Sequence, residues 1–185
     1  MVERSELDNG NKLCMQCGMC CTGRVFDRVE VTDPSNITYL ENAGFKLEKD
    51  DKGNPHFSLP CVAHRSNCCA VYENRPSVCA KFRCNLLERY LAGEIGFDLA
   101  IKIVEECKQL ASELEKIEYY GATPQEKIVS ARLSELHKKI LEENNPGLRR
   151  AYAAVAIRAF ALNKTIEANF KRAGKGASAS TAASA

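Results

Sequence analysis

Nine of the ten cysteines in this 185-residue chain fall between Cys14 and Cys84. That clustering constrains the N-terminal half more than any other feature, and the expected compartment decides how to read it. The N-terminus, MVERSELDNGNKLC, has neither the apolar run nor the cleavage site of a secretory signal. No stretch approaches the ~18 uninterrupted apolar residues of a membrane span. The best candidate, AYAAVAIRAFAL, is short and broken by Arg158. A cytoplasmic chain without a membrane anchor is therefore expected. Thiols stay reduced in that compartment, so clustered cysteines point to metal rather than to stable disulfides.

The opening cluster is Cys14-Met15-Gln16-Cys17-Gly18-Met19-Cys20-Cys21. A C-x-x-C turn brings two thiolates within reach of one metal, and a glycine after the second lets the backbone take a positive φ. Backbone N–H groups in such a turn can point at sulfur and stabilise its charge. A third cysteine three residues on continues the geometry, and the spacing is closer to ferredoxin runs than to zinc fingers. The later cysteines, Cys61, Cys68, Cys69, Cys79 and Cys84, contain no second C-x-x-C. The paired knuckles of a zinc ribbon are thus missing, which argues against nucleic acid.

The combination CMQCGMCC, a separated cysteine, then CAVYENRPSVCAKF resembles the CxxCxxCC cysteine-cluster family of zinc- or iron-chelating proteins. The matching positions are Cys14, Cys17, Cys20 and Cys21, then Cys61, then Cys69, Val71, Tyr72, Arg75, Pro76 and Cys79. The resemblance covers about residues 12–84 and implies that these cysteines are metal ligands. Ala80 stands where the family usually shows arginine, and Cys68 and Cys84 lie outside the pattern.

Geometry limits how the sulfurs can be shared. Adjacent side chains such as Cys20 and Cys21 point different ways, so either one is spare or each serves a different centre. One or two centres are expected. Pro76 opens a helix expected to run to about Ala92, which puts Cys79 in its first turn, where the dipole favours a thiolate. Cys84 comes five residues later, about 140° around an ideal helix, and is not expected to serve the centre of Cys79. Arg75 is a candidate to hydrogen-bond the cysteine-rich loops or offset thiolate charge, and Tyr72 to pack against the cluster. His64 reads as a surface histidine and Cys107 as a core thiol on a helical stripe.

The rest of the chain reads as follows. Val25, Val29 and Val31 share one face of a short strand, and Asp33-Pro34 opens a short helix ending at Gly44. FKLEKDDKGNPHFSL reads as a hairpin turning at Asp51-Lys52-Gly53. Beyond about Arg83 long helical periods take over. A helix over 98–119 has an inner stripe of Ile103, Cys107, Leu110, Leu114 and Ile117. Another begins at the capping box Thr123-Pro124-Glu126 and carries Val129, Leu133, Leu136 and Ile140. The last carries Leu148, Tyr152, Val155, Ala159, Leu162, Ile166 and Phe170.

The expected fold is mostly α: a loop-rich cysteine/metal domain with little β, followed by an antiparallel helical region. Residues 1–92 form the cysteine-rich metal domain, 93–173 a helical bundle packed on it, and 174–185 a disordered low-complexity tail. The first part has few large apolar residues, and small domains of that kind need staples, which metal supplies. From Asn145 onward seven basic residues face one acid, Glu167, consistent with a solvated basic face or with docking to an acidic partner.

Four cysteinates suit zinc and iron–sulfur clusters alike; the ferredoxin-like opening favours iron–sulfur. Three functions follow: a redox or iron–sulfur protein accessory to a partner enzyme, a zinc-stabilised module whose helical region recruits a protein partner, or a metal-dependent enzyme. The sequence names no substrate, and whether the chain is an enzyme stays open.

Overall fold

The polar N-terminal stretch forms a helix, α1 (Arg4–Cys17), that sequence periodicity does not announce. The computed structural model describes residues 4–66, 68–117 and 129–171. In α1, Leu13 is buried, and the bare Gly10 lets Leu87 come within 3.3 Å of where a Cβ would stand. The helix stops at Gly18, whose φ of +63° suits a residue without a side chain. Cys14 and Cys17 therefore lie on a last helical turn rather than in a loop knuckle.

Strands β1 (Arg28–Glu30), β2 (Glu48–Lys49) and β3 (Pro55–Ser58) form an antiparallel sheet of order β1-β3-β2, with Val29 opposite Phe57. The expected hairpin is β2–β3: Asp50 accepts the Lys52 and Asn54 N–H groups, and Gly53 takes φ +80°. Between β1 and β2, α2 (Ser35–Asn42) begins where Asp33 accepts the Ser35 N–H, and Gly44 follows its end at φ +85°. A short hairpin follows, β4 (His64–Arg65) paired with β5 (Cys68–Cys69).

The helix expected over 76–92 is broken. It becomes α3 (Ser77–Lys81) and α4 (Asn85–Leu91). Phe82 turns extended (φ −69°, ψ 128°) to meet Phe26 edge-on, with ring centres 5.1 Å apart. Cys84 then caps α4, its sulfur accepting the Leu87 N–H at 3.4 Å. The 140° argument for Cys84 thus fails in its premise, because no single helix joins it to Cys79.

Helix α5 (Phe97–Glu115) buries Ala100, Val104, Cys107, Ala111 and Leu114. The expected Cys107 and Leu114 are among them and Ile103 and Ile117 pack at their edge, but Leu110 is exposed. Small residues at 100 and 111 let α5 settle against its neighbours α1 and α7. Helix α6 (Val129–Glu142) packs on α7 (Pro146–Phe170) across a short link, as an antiparallel pair would. Asn145 caps α7 by accepting the Gly147 and Leu148 N–H groups. The α7 stripe is buried as expected at Val155, Ala159, Leu162, Ile166 and Phe170. The capping box at Thr123–Glu126 and the tail at 174–185 lie outside the described residues. Among the described residues no helix is long and apolar enough to cross a membrane.

Two apolar cores result. The larger joins Leu13, Met19 and Val25 to α4, α5, α6 and α7. The smaller gathers Val31, Leu40, Phe45, Phe57, Leu59 and Ala63 under the sheet and α2. Phe26 packs against both.

Candidate metal centre

Between the two cores lies a cavity of about 320 Å³. Cys14, Cys17, Cys20 and Cys21 line it from the N-terminal side. Cys61, Cys69, Cys79 and Cys84 close the rest of the ring. Its other walls are largely apolar, with Phe26, Phe57, Leu59, Leu86 and Phe170 among them. All seven cysteines expected as ligands are therefore brought together. An eighth, Cys84, joins them.

Local structure explains the convergence. Gly18 turns the chain out of α1, and Thr22 N–H and Gly23 N–H return to the Gly18 and Cys20 carbonyls at 2.9 and 3.2 Å. This tight turn presents Cys20 and Cys21 in succession. It is pinned to α5 twice, by Lys108 on the Gln16 carbonyl at 3.1 Å and by an Arg24–Glu115 ion pair at 2.8 Å. The Cys61 N–H donates to the Cys21 carbonyl at 2.8 Å, which anchors the β4–β5 hairpin to the turn. Pairing of His64 with Cys69 holds the latter beside that junction.

Histidine 64 is not the surface residue expected. It lines the cavity, and its Nε2 would stand 2.6 Å from a Cβ on residue 18, so a side chain there would have to displace the imidazole. Its spacing three after Cys61 was the available signal. Cys84 was missed because the continuous-helix reading aimed it elsewhere. Cys68 is exposed and does not line the cavity. Cys107 is fully buried on α5, away from the cavity, as expected for a core thiol; burial, then Glu106, raises its pKa to about 11.

Arg75 lies over the Tyr72 ring at 4.0 Å from its centre, and the Tyr72 hydroxyl donates to Asn11 Oδ1 on α1 at 2.9 Å. Both residues line the cavity.

The thiols press on one another. Burial pushes Cys20 well up, and the charges of Cys17, Cys84 and Cys14 add to it. Cys17 is likewise raised by burial, then by Cys84 and Cys14, against a Met19 N–H that favours the thiolate. Cys21 is pushed up to about 12 by burial, then by Cys61, Cys69 and Cys79, with Cys14 a weaker influence. Cys79 reaches about 12 by burial and by Cys61 and Cys69, opposed by Arg75. Burial raises Cys14, Cys61 and Cys84 too. Several thiolates cannot coexist in such a space without a cation among them.

Among the described residues no three Cys, His, Asp or Glu side chains are already arranged to hold a single ion; the thiols line walls instead of meeting at a point. As a donor set they fit a soft metal. Eight sulfurs around an apolar space match the all-cysteinate ligation of zinc or iron–sulfur clusters.

A family model described as "Putative zinc- or iron-chelating domain" matches residues 13–125, more than half of the chain. The chain belongs to the CxxCxxCC family. The match runs past the motif that first suggested it, through α5, so the helix pinning the Cys20-Cys21 turn is part of the family unit. Cys84 falls inside the match, while α6 and α7 fall outside it. No curated protein matches the chain, and no solved structure does.

Proposed function

We propose that this member of the CxxCxxCC family holds one or two iron–sulfur centres, with ligands drawn from Cys14, Cys17, Cys20, Cys21, Cys61, Cys69 and Cys79, and serves electron transfer or a partner enzyme. The observation that carries the reading is the ring of cysteines around one apolar cavity. Thiols set back on cavity walls suit a cluster, whose body fills the space between its ligands, better than a bare ion drawn to one point. An iron–sulfur cluster bound there would supply one-electron redox chemistry. The largely apolar walls would tune the environment of the sulfurs. Arg75, with Tyr72 beneath it, offsets thiolate charge at Cys14 and Cys79.

Anaerobic purification followed by iron, zinc and acid-labile sulfide analysis tests the reading. Expected are iron and sulfide in comparable amounts and a visible chromophore bleached by dithionite. A colourless chain loaded with zinc would favour the second reading, a zinc-stabilised module whose helical region recruits a protein partner. One observation supports that alternative: Ile157 and Phe160 on α7 are 70% and 54% exposed. A chain that takes up neither metal overturns both.

A further inference from the structure

We propose that the cavity holds two separate centres, one on Cys14, Cys17, Cys20 and Cys84, the other on Cys21, Cys61, Cys69 and Cys79. The inference rests on the metal-thiolate reading above and deepens it, since it assigns a ligand, Cys84, that the family motif leaves out.

Four observations carry it. First, the two halves of the ring belong to different parts of the fold. Cys17, Cys20 and Cys84 pack against the larger core, whereas Cys61 and Cys79 pack against the smaller one. Second, backbone contacts bind each half together. Cys14 and Cys17 share the last turn of α1, one helical turn apart on one face. Cys21 is joined to Cys61 through its carbonyl, and Cys61 to Cys69 through the β4–β5 hairpin, where His64 N–H returns to the Cys61 carbonyl at 3.0 Å. Third, the motif ends in adjacent cysteines, and neighbouring side chains along a chain diverge. Cys20 with the first set and Cys21 with the second is the arrangement that uses both. Fourth, the arithmetic closes. Eight cavity cysteines make two complete sets of four, the number that zinc and cubane clusters both require, while Cys68 and Cys107 stand outside the cavity.

The extended break at Phe82 separates Cys84 from Cys79, and Cys84 instead caps α4, its sulfur accepting the Leu87 N–H.

The test uses the full chain and counts metal and sulfide. Cys84→Ser and Cys20→Ser should each retain half of the wild-type metal, and combining them should lose no more. Cys21→Ser should lose the other half, and Cys84→Ser with Cys21→Ser should lose all of it. Full metal retention in Cys84→Ser overturns the proposal, as does a Cys84/Cys21 pair that loses no more than either single variant. Wild-type protein without metal overturns the metal-thiolate reading itself, a separate result. Stepwise chelation of the wild-type protein, with alkylation and peptide mapping at each step, needs no variant to fold. Cys14, Cys17, Cys20 and Cys84 should become reactive as one group and Cys21, Cys61, Cys69 and Cys79 as another. A first-released group that mixes the two sets overturns the partition.

Discussion

The two cores on either side of the cavity differ sharply in what they can support alone. Among the described residues the larger buries seventeen apolar side chains drawn from five helices and the turn after α1, including the fully buried Phe170 and Leu162. The smaller buries six, under strands of two to four residues. Burial of a large apolar side chain is worth roughly 1.5–3 kcal/mol, so six of them leave little after the cost of ordering their chain. Metal thiolates near such a core are therefore expected to be structural as well as chemical. The helical side, with its larger core, is expected to stay folded without them.

Metal removal should break this comparison open, and it is the largest effect expected. Chelation of a metal that completes a small domain removes stabilisation on the order of 10 kcal/mol. Hydrogen exchange should then rise throughout the sheet, α2 and the β4–β5 hairpin, while α5 and α7 keep their protection. The melting temperature should fall markedly with part of the helical circular dichroism retained. Equal loss of protection on both sides would show that the two cores stand or fall together.

Gly18→Ala sharpens the comparison at the seam. A methyl group at φ +63° carries a strain of roughly 1–2 kcal/mol, and here it also meets His64 Nε2 at 2.6 Å. Gly44→Ala is the control. Its φ is +85°, but nothing lies within 4 Å of the added carbon. Both variants should lose stability, and only Gly18→Ala should also lose metal, because His64 is paired with Cys69. Identical metal content in the two variants would remove His64 and Gly18 from any part in shaping the site.

A smaller effect concerns pH in the metal-free protein. Cys21 and Cys79, with folded pKa values raised to about 12 against an ordinary 9.0, hold their protons longer than the unfolded chain does. Above pH 9 the unfolded state therefore binds fewer protons, and stability falls as pH rises toward 12. Below pH 9 the contribution is fully present. Melting temperatures of metal-free protein should be level from pH 7 to about 8.5 and decline beyond it. Metal uptake must expel the same protons, so loading near neutral pH should acidify a weakly buffered solution. A melting temperature that climbs above pH 9 would contradict the crowding of thiols described here.

Much of this was legible before the structure. Cysteine clustering, the Gly18 turn, the β2–β3 hairpin and the α7 stripe all carry local signals, either a spacing, a glycine at positive φ or a 3.6-residue period. What stayed hidden depends on contacts distant in sequence. Helix α1 carries too few apolar residues to show a period and packs against Leu87 and α5 far along the chain. The break at Phe82 exists because Phe26 draws that ring aside, which no local pattern encodes, and with it went the placement of Cys84. On α5, Ala100 and Ala111 are buried while Leu110 is exposed, because close approach of helices selects for small size over apolarity.

The charge of Arg75 bears on a thiol of each half, and its replacement should give the smallest effect. Its guanidinium lies 4.0 Å above the Tyr72 ring, a contact worth roughly 0.5–1 kcal/mol where partly exposed. Its charge opposes the burial that raises Cys14 on one side of the cavity and Cys79 on the other. Arg75→Gln removes the charge while leaving an amide of similar reach. In metal-free protein, alkylation of Cys14 and Cys79 should slow together, because both thiolates become rarer, and the Tyr72 hydroxyl, which Arg75 also acidifies, should titrate higher. Arg75→Lys keeps the charge but loses the flat stack on Tyr72, so it should restore the alkylation rates more fully than the melting temperature. If only Cys79 slows, Arg75 belongs to the smaller-core side alone. If neither slows, its place over Tyr72 is packing without electrostatic consequence for the thiols.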